Sequence, residues 1–568
     1  KVVLVTDDPK RHTGDNAPPN GVEVIHRDNL IPTQQRLAKI KGVTALVYEQ
    51  TCAAEKRRRR KRGTFPDPAK RVMINTDVCE GCGDCGVQSN CVAILPKDTV
   101  DGRKRQIDQS ACNKDFSCLK GFCPSFVTIE GGAIKRPSPK SIDIPDLPTP
   151  TPMVTLDSPF SAIITGIGGT GVVTIGAVLG MAAHLEGKGC GIIDMAGLAQ
   201  KGGAVTSHLK LAQKPDDIAA IRVSAGEADL VLACDTLLLA DPTVNKVLAR
   251  NKTQVVANTH ETMTGEFIHD REFRLPTEGI LGGIHALVGP DKSHRVDATR
   301  IATQIFGDAI MANMFLLGYA FQSGLIPLSE AAILEAIKLN GASIDMNQSA
   351  FTWGRFWRAD LKSAKDAAKL EPETPIESLG DAVVRRQAVL VDYQNAAYAK
   401  RYSDLIEATK RAEIIAIGNT GTLSETVALT AYRLMAYKDE YEIARLLSAQ
   451  AFRSQIDGTF EGDFKVKYHL APPILSKIDK STGRPKKRVF GAWLTPVFVS
   501  LAKLKALRGT PLDIFGYSHE RRRERRLVRD FEAQMLSVAN ALSAENHDAA
   551  VALAALPQDI RGFGPVKM

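Results

Sequence analysis

Between residues 79 and 123, seven cysteines recur as Cys79-x2-Cys82-x2-Cys85-x5-Cys91 and Cys112-x5-Cys118-x4-Cys123-Pro124. Three thiols at x2 intervals let one short loop occupy three corners of an iron–sulfur cube. The fourth ligand must then come from a distant segment, because the loop cannot reach round the cube. A zinc ribbon needs two separate cysteine pairs, so a third cysteine at x2 would be superfluous. Seven of the ten cysteines crowd into 45 positions, and no secretory leader is expected. Metal in a reducing, cytoplasmic compartment therefore fits better than disulfides. Cys52, Cys190 and Cys234 are scattered and are expected as small apolar core residues.

In two-cluster ferredoxins the ligands cross over, each half's last cysteine serving the other cluster. That rule assigns Cys79, Cys82, Cys85 and Cys123 to one cluster. It leaves Cys91, Cys112 and Cys118 for the second, one ligand short. Asp115 stands where the middle cysteine of the second triplet would be. A carboxylate is a harder ligand than a thiolate and holds iron less firmly. The second cluster is thus either a four-iron cube with an Asp115 ligand or a three-iron cluster with an empty corner. The x5 and x4 gaps lengthen the loops without altering the ligand order.

The chain has 568 residues, enough for about three to five domains. With 44% apolar and 24% charged residues its composition is that of a globular protein. No run of about 18 apolar residues occurs, so no membrane span is expected. The opening Lys1-Val-Val-Leu-Val reads as a buried strand, without an initiator Met or a signal layout. A start inside a larger protein is expected. The net charge is +9, and Lys56-Arg-Arg-Arg-Arg-Lys-Arg62 supplies seven positives. Such a run is either a solvated linker or a docking surface for an acidic protein. Nucleic-acid binding would need aromatics or a reading helix nearby, and is not expected.

The organisation is that of an α/β multidomain protein. Val2-Val-Leu-Val and Val43-Thr-Ala-Leu-Val-Tyr48 are strand candidates around a helical stretch at 33–41, within a first domain of residues 1–62. The cysteine module fills 63–135. Residues 136–159 carry seven prolines and form an extended linker. A second α/β domain spans 160–345, with strands expected at 162–165, 191–194, 230–234 and 255–258 in a largely parallel sheet, and a closing helix at 309–321. Residues 346–568 read as a mainly helical domain. No internal repeat or low-complexity tract is evident.

Gly166-Ile-Gly168-Gly169-Thr170-Gly171 follows an apolar strand and precedes a helical run at 172–184. Glycines there permit a tight turn and let an anion approach backbone N–H groups at a helix N-terminus. Asp194 ends the next strand, near where a ribose-binding carboxylate is expected in a dinucleotide fold. A plain packing turn is the other reading. Gln200-Lys201-Gly202-Gly203 offers a second loop, suited to a phosphate or carboxylate pocket or to an ordinary turn.

In their order these pieces resemble the fused indolepyruvate ferredoxin oxidoreductases, of the thiamine-dependent 2-oxoacid:ferredoxin oxidoreductase superfamily. The likeness extends to Tyr48-Glu-Gln-Thr-Cys-Ala-Ala-Glu55, Phe351-Thr-Trp-Gly, Tyr437-Lys-Asp-Glu-Tyr-Glu442 and His469-Leu-Ala-Pro-Pro473. The resemblance implies the tail of a thiamine-type α/β domain, a two-cluster ferredoxin-like module, a so-called gamma domain at the glycine loop, and a helical tail. It also implies oxidative decarboxylation of an aryl-pyruvate with coenzyme A, giving an acyl-CoA, CO2 and reduced ferredoxin. A homo-oligomeric assembly is implied as well. The family's thiamine diphosphate and magnesium site uses a Gly-Asp-Gly stretch with asparagines further on. Gly14-Asp15-Asn16 and Gly462-Asp463-Phe464 do not fit it, so that cofactor is expected on sequence outside this chain. The rival readings are an NAD(P)H-linked iron–sulfur oxidoreductase and a non-catalytic electron carrier.

Overall fold

A computed structural model describes residues 1–135, 146–196, 203–370, 377–472, 476, 478 and 483–567. The chain divides into two compact units, Lys1–Pro68 and Ala69–Met568.

In the first unit the strands Val2–Thr6, Glu23–His26 and Ala45–Glu49 form a parallel sheet with Val2–Thr6 in the middle. Val3 and Val5 bury against Leu37 of the helix Leu30–Ala38. The strand Glu23–His26 escapes a pattern reading because only its two central residues are apolar. Residues 56–62 belong largely to the helix Ala53–Lys61, as Lys and Arg are good helix formers. Lys56 reaches Asp7 at 2.5 Å and Arg58 reaches Glu55 at 2.9 Å. Cys52 is exposed at the N-cap of this helix, not buried, because the chain turns there from strand to helix.

The second unit holds a six-stranded sheet. Its order is Gly189–Ala196, Ala204–Ala212, Phe160–Ile167, Leu230–Ala233, Gln254–Asn258 and Ser293–Val296. The last four strands run parallel, while Ala204–Ala212 is antiparallel to both neighbours. Its Thr206, Ser207, His208 and Lys210 disguise it as a loop in the sequence. Helix Val172–Leu185 covers one face, burying Ile175, Leu179 and Ala182.

The same core continues through helices Ala312–Gln322 and Ile344–Ala359. These two cross at glycines. A Cβ on Gly318 would lie 1.9 Å from the Phe351 carbonyl oxygen, and one on Gly354 would lie 1.9 Å from that of Phe315. Only hydrogen at both positions lets the backbones meet. Trp353, Phe356 and Trp357 fill the space around the crossing.

A second core is built by Leu379–Tyr393, Ala396–Ile417, Thr422–Met435 and His519–Asn540 around Leu390, Tyr402, Val427 and Phe531. The C-terminal region also contributes two strands, Lys465–Leu470 and Arg488–Phe490. They extend the sheet of the cysteine module in the order Arg488–Phe490, Lys465–Leu470, Phe126–Glu130, Lys70–Ile74. Lys-Val-Lys-Tyr-His-Leu alternates at period two, a signal hidden among long helical stretches. All-antiparallel pairing binds this region into the module.

Candidate functional site

Strands Lys70–Ile74 and Phe126–Glu130 pair with Ile74 opposite Phe126. That register brings the start of the first cysteine loop beside the segment that ends at Cys123. Asn75 N–H donates to the Ser125 carbonyl at 2.8 Å, and Cys79 N–H donates to the Asn75 carbonyl at 3.0 Å. Cys79, Cys82, Cys85 and Cys123 consequently line one small cavity, with Arg105 and Phe126. Asp84 fastens the arrangement. Its carboxylate accepts from Phe122 N–H at 2.7 Å and from Arg484 at 2.9 Å.

Cys82 and Cys85 resist ionising alone. Burial pushes Cys82 up to about 12, and the neighbouring Cys123 and Cys79 add to the rise. Burial, then Cys123, Cys79 and Cys82, lifts Cys85 well above its ordinary value. Such sulfurs become thiolates together only with a cationic partner among them, as metal ligation provides. Cys118 is pushed up to about 12 by burial and then by Cys91 and Cys112. Burial also raises Cys112, with Cys91 contributing. Cys91, Cys112 and Cys118 are therefore neighbours of one another. Among the described residues no three His, Cys, Asp or Glu side chains converge as a single-ion site. A cluster is gripped at its corners, so its thiolates stand around it and do not meet at a point.

The two loops repeat one backbone. Gly81 and Gly83 flank Cys82 with φ of +66° and +82°, and Lys114 and Phe116 flank Asp115 with φ of +51° and +62°. Gly81 N–H donates to Cys79 Sγ at 3.4 Å, and Lys114 N–H donates to Cys112 Sγ at 3.5 Å. Asp115 thus holds the backbone place of Cys82. Non-glycine residues tolerate such conformations only when the surroundings impose them. The Asp115 side chain is exposed and accepts a hydrogen bond from Ser117.

Pattern reading missed the cations at this site. Lys487 Nζ donates to the carbonyls of Gly121 at 2.5 Å and Cys123 at 3.2 Å. Burial lowers its pKa, while Cys123 and Cys118, one from each thiol group, raise it. Arg105 is buried beside Cys85 and Cys79 and lies 4.2 Å from the Phe267 ring centre. No sequence signal could tie Lys487 to a cysteine 364 positions away.

In the gamma-type sheet the glycine loop joins Phe160–Ile167 to Val172–Leu185. Gly169 and Gly171 adopt φ of +87° and +99°. Gly166 is a packing glycine, since a Cβ there would lie 2.7 Å from Val172 and 2.9 Å from Cys234. Gly168 N–H donates to the Gly203 carbonyl at 2.8 Å, so the ends of the two glycine segments meet. Gly169 and Thr170 are exposed. Asn313 donates to the Thr170 carbonyl at 2.7 Å. Gln200, Lys201 and Gly202 lie outside the described residues.

Asp194 does not stand beside the glycine loop. Its strand is at the sheet edge, with Ala204–Ala212 interposed, and Asp194 faces Ser207, which faces Ile164. Two strand spacings, about 10 Å, separate it from the loop's strand. A ribose-binding carboxylate belongs on the adjacent strand. Instead, the carboxyl ends of the parallel strands gather Asp235, Asn258, His260 and Asp297. Burial raises the Asp235 pKa, and His260 lies 3.5 Å from Asp297. No sequence motif marks these four.

Residues 161–356 match the family described as pyruvate ferredoxin/flavodoxin oxidoreductase, and residues 379–568 match a family of unknown function, DUF6537. Indolepyruvate oxidoreductase subunit IorB of Methanothermobacter thermautotrophicus is 25% identical over 199 residues, covering 34% of this chain and 95% of that protein. The pyruvate/ketoisovalerate oxidoreductases common subunit gamma of Pyrococcus furiosus is 31% identical over 173 residues, covering 30% of this chain and 82% of that protein. The solved pyruvate oxidoreductase subunit PORC of Thermotoga maritima overlaps 35% of this chain and 96% of its own, at 23% identity and a TM-score of 0.26. The glycine-loop sheet and the matching sequences define a gamma-type oxidoreductase domain. The chain belongs to the indolepyruvate/2-oxoacid ferredoxin oxidoreductase family. No helix among the described residues is long and apolar enough to cross a membrane.

Proposed function

We propose that this chain receives the electrons of an aryl-pyruvate oxidation and passes them to ferredoxin. The reaction takes an aryl-pyruvate such as indolepyruvate and coenzyme A to an acyl-CoA and CO2, releasing two electrons and one proton. The single observation that carries the reading is the sorting of the seven thiols. Cys79, Cys82, Cys85 and Cys123 share one cavity, while Cys91, Cys112 and Cys118 neighbour one another. The first four fit a four-iron cluster, and the other three with Asp115 fit a second cluster of three or four irons. Iron–sulfur clusters bound there supply one-electron acceptance.

The chain's own residues set the conditions. Buried thiols exclude water, and Lys487 and Arg105 place positive charge where an added electron would reside. The glycine loop runs through Gly171 into a helix N-terminus, suited to a 2-oxoacid carboxylate or a CoA phosphate. Gln200, Lys201, Gly202 and Gly203 are proposed to bind the same anionic group. Carbon–carbon cleavage by thiamine diphosphate with magnesium is assigned to sequence outside these residues. An acidic carrier would be drawn to the exposed part of the basic helix.

Anaerobic mixing of the complete enzyme with indolepyruvate and coenzyme A tests the reading. Bleaching of the visible iron–sulfur absorption that requires both reagents is expected. Bleaching by NADH alone would promote the NAD(P)H-linked alternative, which the placement of Asp194 disfavours.

A further inference from the structure

A cavity distinct from the thiols' own, though Glu80 lines both, lies between the cysteine module and the C-terminal helices. It measures about 350 Å³, within the usual range of roughly 300–1,000 Å³ for small-molecule sites. Its wall is unusually charged. Lys104 comes from the strand Gly102–Ile107, Arg433 from the helix Thr422–Met435, and Lys438 from the turn that follows.

Several lining cations are already matched. Arg385 pairs with Asp101 at 2.8 Å, Arg445 with Glu442 at 2.8 Å and Lys567 with Glu524 at 2.6 Å, while Arg561 pairs with Glu272. Lys104, Arg433 and Lys438 are not. Among the described residues none of the three has a carboxylate within ion-pair distance. Arg433 spends Nη2 on the Asp101 carbonyl at 3.0 Å, and its buried Nη1 has no hydrogen-bond partner. A half-buried carboxylate, Glu80, also lines the cavity. Asp77, the remaining unpaired lining carboxylate, is exposed. Lys438 and Arg433 in turn depress Lys104, so like charges are crowded here. Crowded, half-dry cations with an orphaned guanidinium N–H are costly unless an anion joins them.

We propose that this cavity binds a small molecule carrying a phosphate or pyrophosphate group, which sits among Lys104, Arg433 and Lys438. A carboxylate would add one charge and two acceptor atoms, much as Glu80 already does. A phosphate brings about two charges and three or more acceptor oxygens, enough to engage the guanidinium and both ammonium groups at once. Phosphate binding here forms no part of the electron-transfer reading, so its failure would leave that reading untouched.

Calorimetric titration of the full chain with inorganic pyrophosphate, ADP and coenzyme A, at constant ionic strength, tests this. Saturable binding of pyrophosphate is expected, at least tenfold weaker in the double variant Lys104→Ala/Lys438→Ala. Tighter binding of ADP or coenzyme A than of pyrophosphate, also lost in the variant, would identify an organic phosphate as the occupant. Equal affinities would identify the anion alone. Should the double variant fail to fold, Lys438→Ala serves. It relieves crowding, so its unliganded melting midpoint should equal or exceed the wild type's while the stabilisation by pyrophosphate shrinks. Absence of saturable binding by all three probes, or binding that neither variant weakens, overturns the proposal.

Discussion

Lys487 Nζ donates to the carbonyl oxygen of Cys123 at 3.2 Å, placing a cation from the C-terminal region against the thiol that closes the first group. The same ammonium is felt by Cys118 of the second group. A positive charge so placed favours the reduced state of any redox centre held there. Lys487→Met should lower a reduction potential by about 60 mV, a tenfold change in a one-electron equilibrium. Potentiometric titration followed by electron paramagnetic resonance reads this directly, and unchanged potentials would remove Lys487 from the account.

Gly81 is the tightest point of the first loop. Its φ is +66°, and a Cβ would lie 2.3 Å from the Arg103 carbonyl oxygen. Gly81→Ala should displace the loop and empty the first thiol group of iron. Gly63→Ala is the control. Gly63 has a φ of +70° but open space around it, so its cost should stay near about 1 kcal/mol with iron retained. Equal iron contents in the two variants would contradict the loop geometry.

The crossing at Gly318 and Gly354 predicts a stability effect without any change at the thiols. Gly354→Ala should force the two helices apart and cost about 3 kcal/mol or more, the upper end of overpacking. Urea denaturation followed by circular dichroism measures it. A loss below about 0.5 kcal/mol would mean that the helices do not meet at backbone contact.

Glu413 carries a pH dependence. Its buried carboxylate accepts from Leu423 N–H at 2.9 Å, Ser424 N–H at 3.0 Å and His547 at 2.7 Å, and also from the Ser424 hydroxyl. Burial alone would raise its pKa, but His547 and Ser424 overcome this and lower it from 4.5 to about 2. A depressed carboxylate stabilises the fold above its unfolded value, and that stability is lost as pH falls through the folded value. Glu413→Gln should therefore cost about 1.5–3 kcal/mol at pH 7. The gap to wild type should close between pH 4.5 and about 2. A gap that persists unchanged at the acid end would contradict the assignment.

How far the sequence could be read depended on how local each signal was. The thiol groups were legible because x2 spacings act within one loop. The parallel strands of the glycine-loop domain were legible as short apolar runs. Ala204–Ala212 was not, because an edge hairpin with one polar face looks like a loop. That strand decides the fate of Asp194, which the sequence alone places beside the glycine loop. Tyr437–Glu442 carried family likeness without chemistry until the fold gave it a task. Asp439 holds Arg508 at 2.6 and 2.8 Å and caps the helix Glu440–Ser448, and Tyr437 lines the charged cavity. His469 likewise bonds Thr128 at 3.1 Å across the shared sheet. The pairings of Asp439 with Arg508 and of Thr128 with His469 span 69 and 341 positions, and no local pattern encodes them.

The central claim is that two iron–sulfur clusters are held in crossed fashion, with Cys123 serving the first loop. Anaerobic iron, sulfide and zinc analysis of the wild type, Cys123→Ser and Cys112→Ser/Cys118→Ser tests it most directly, together with electron paramagnetic resonance of each. The account predicts seven or eight irons per chain, from one four-iron cluster and one of three or four irons, with no zinc. Cys123→Ser should lose the four-iron signal of the first cluster and keep the second, while the double variant should keep about four irons. Zinc in place of iron, about four irons in the wild type, or loss of the second cluster in Cys123→Ser would contradict it.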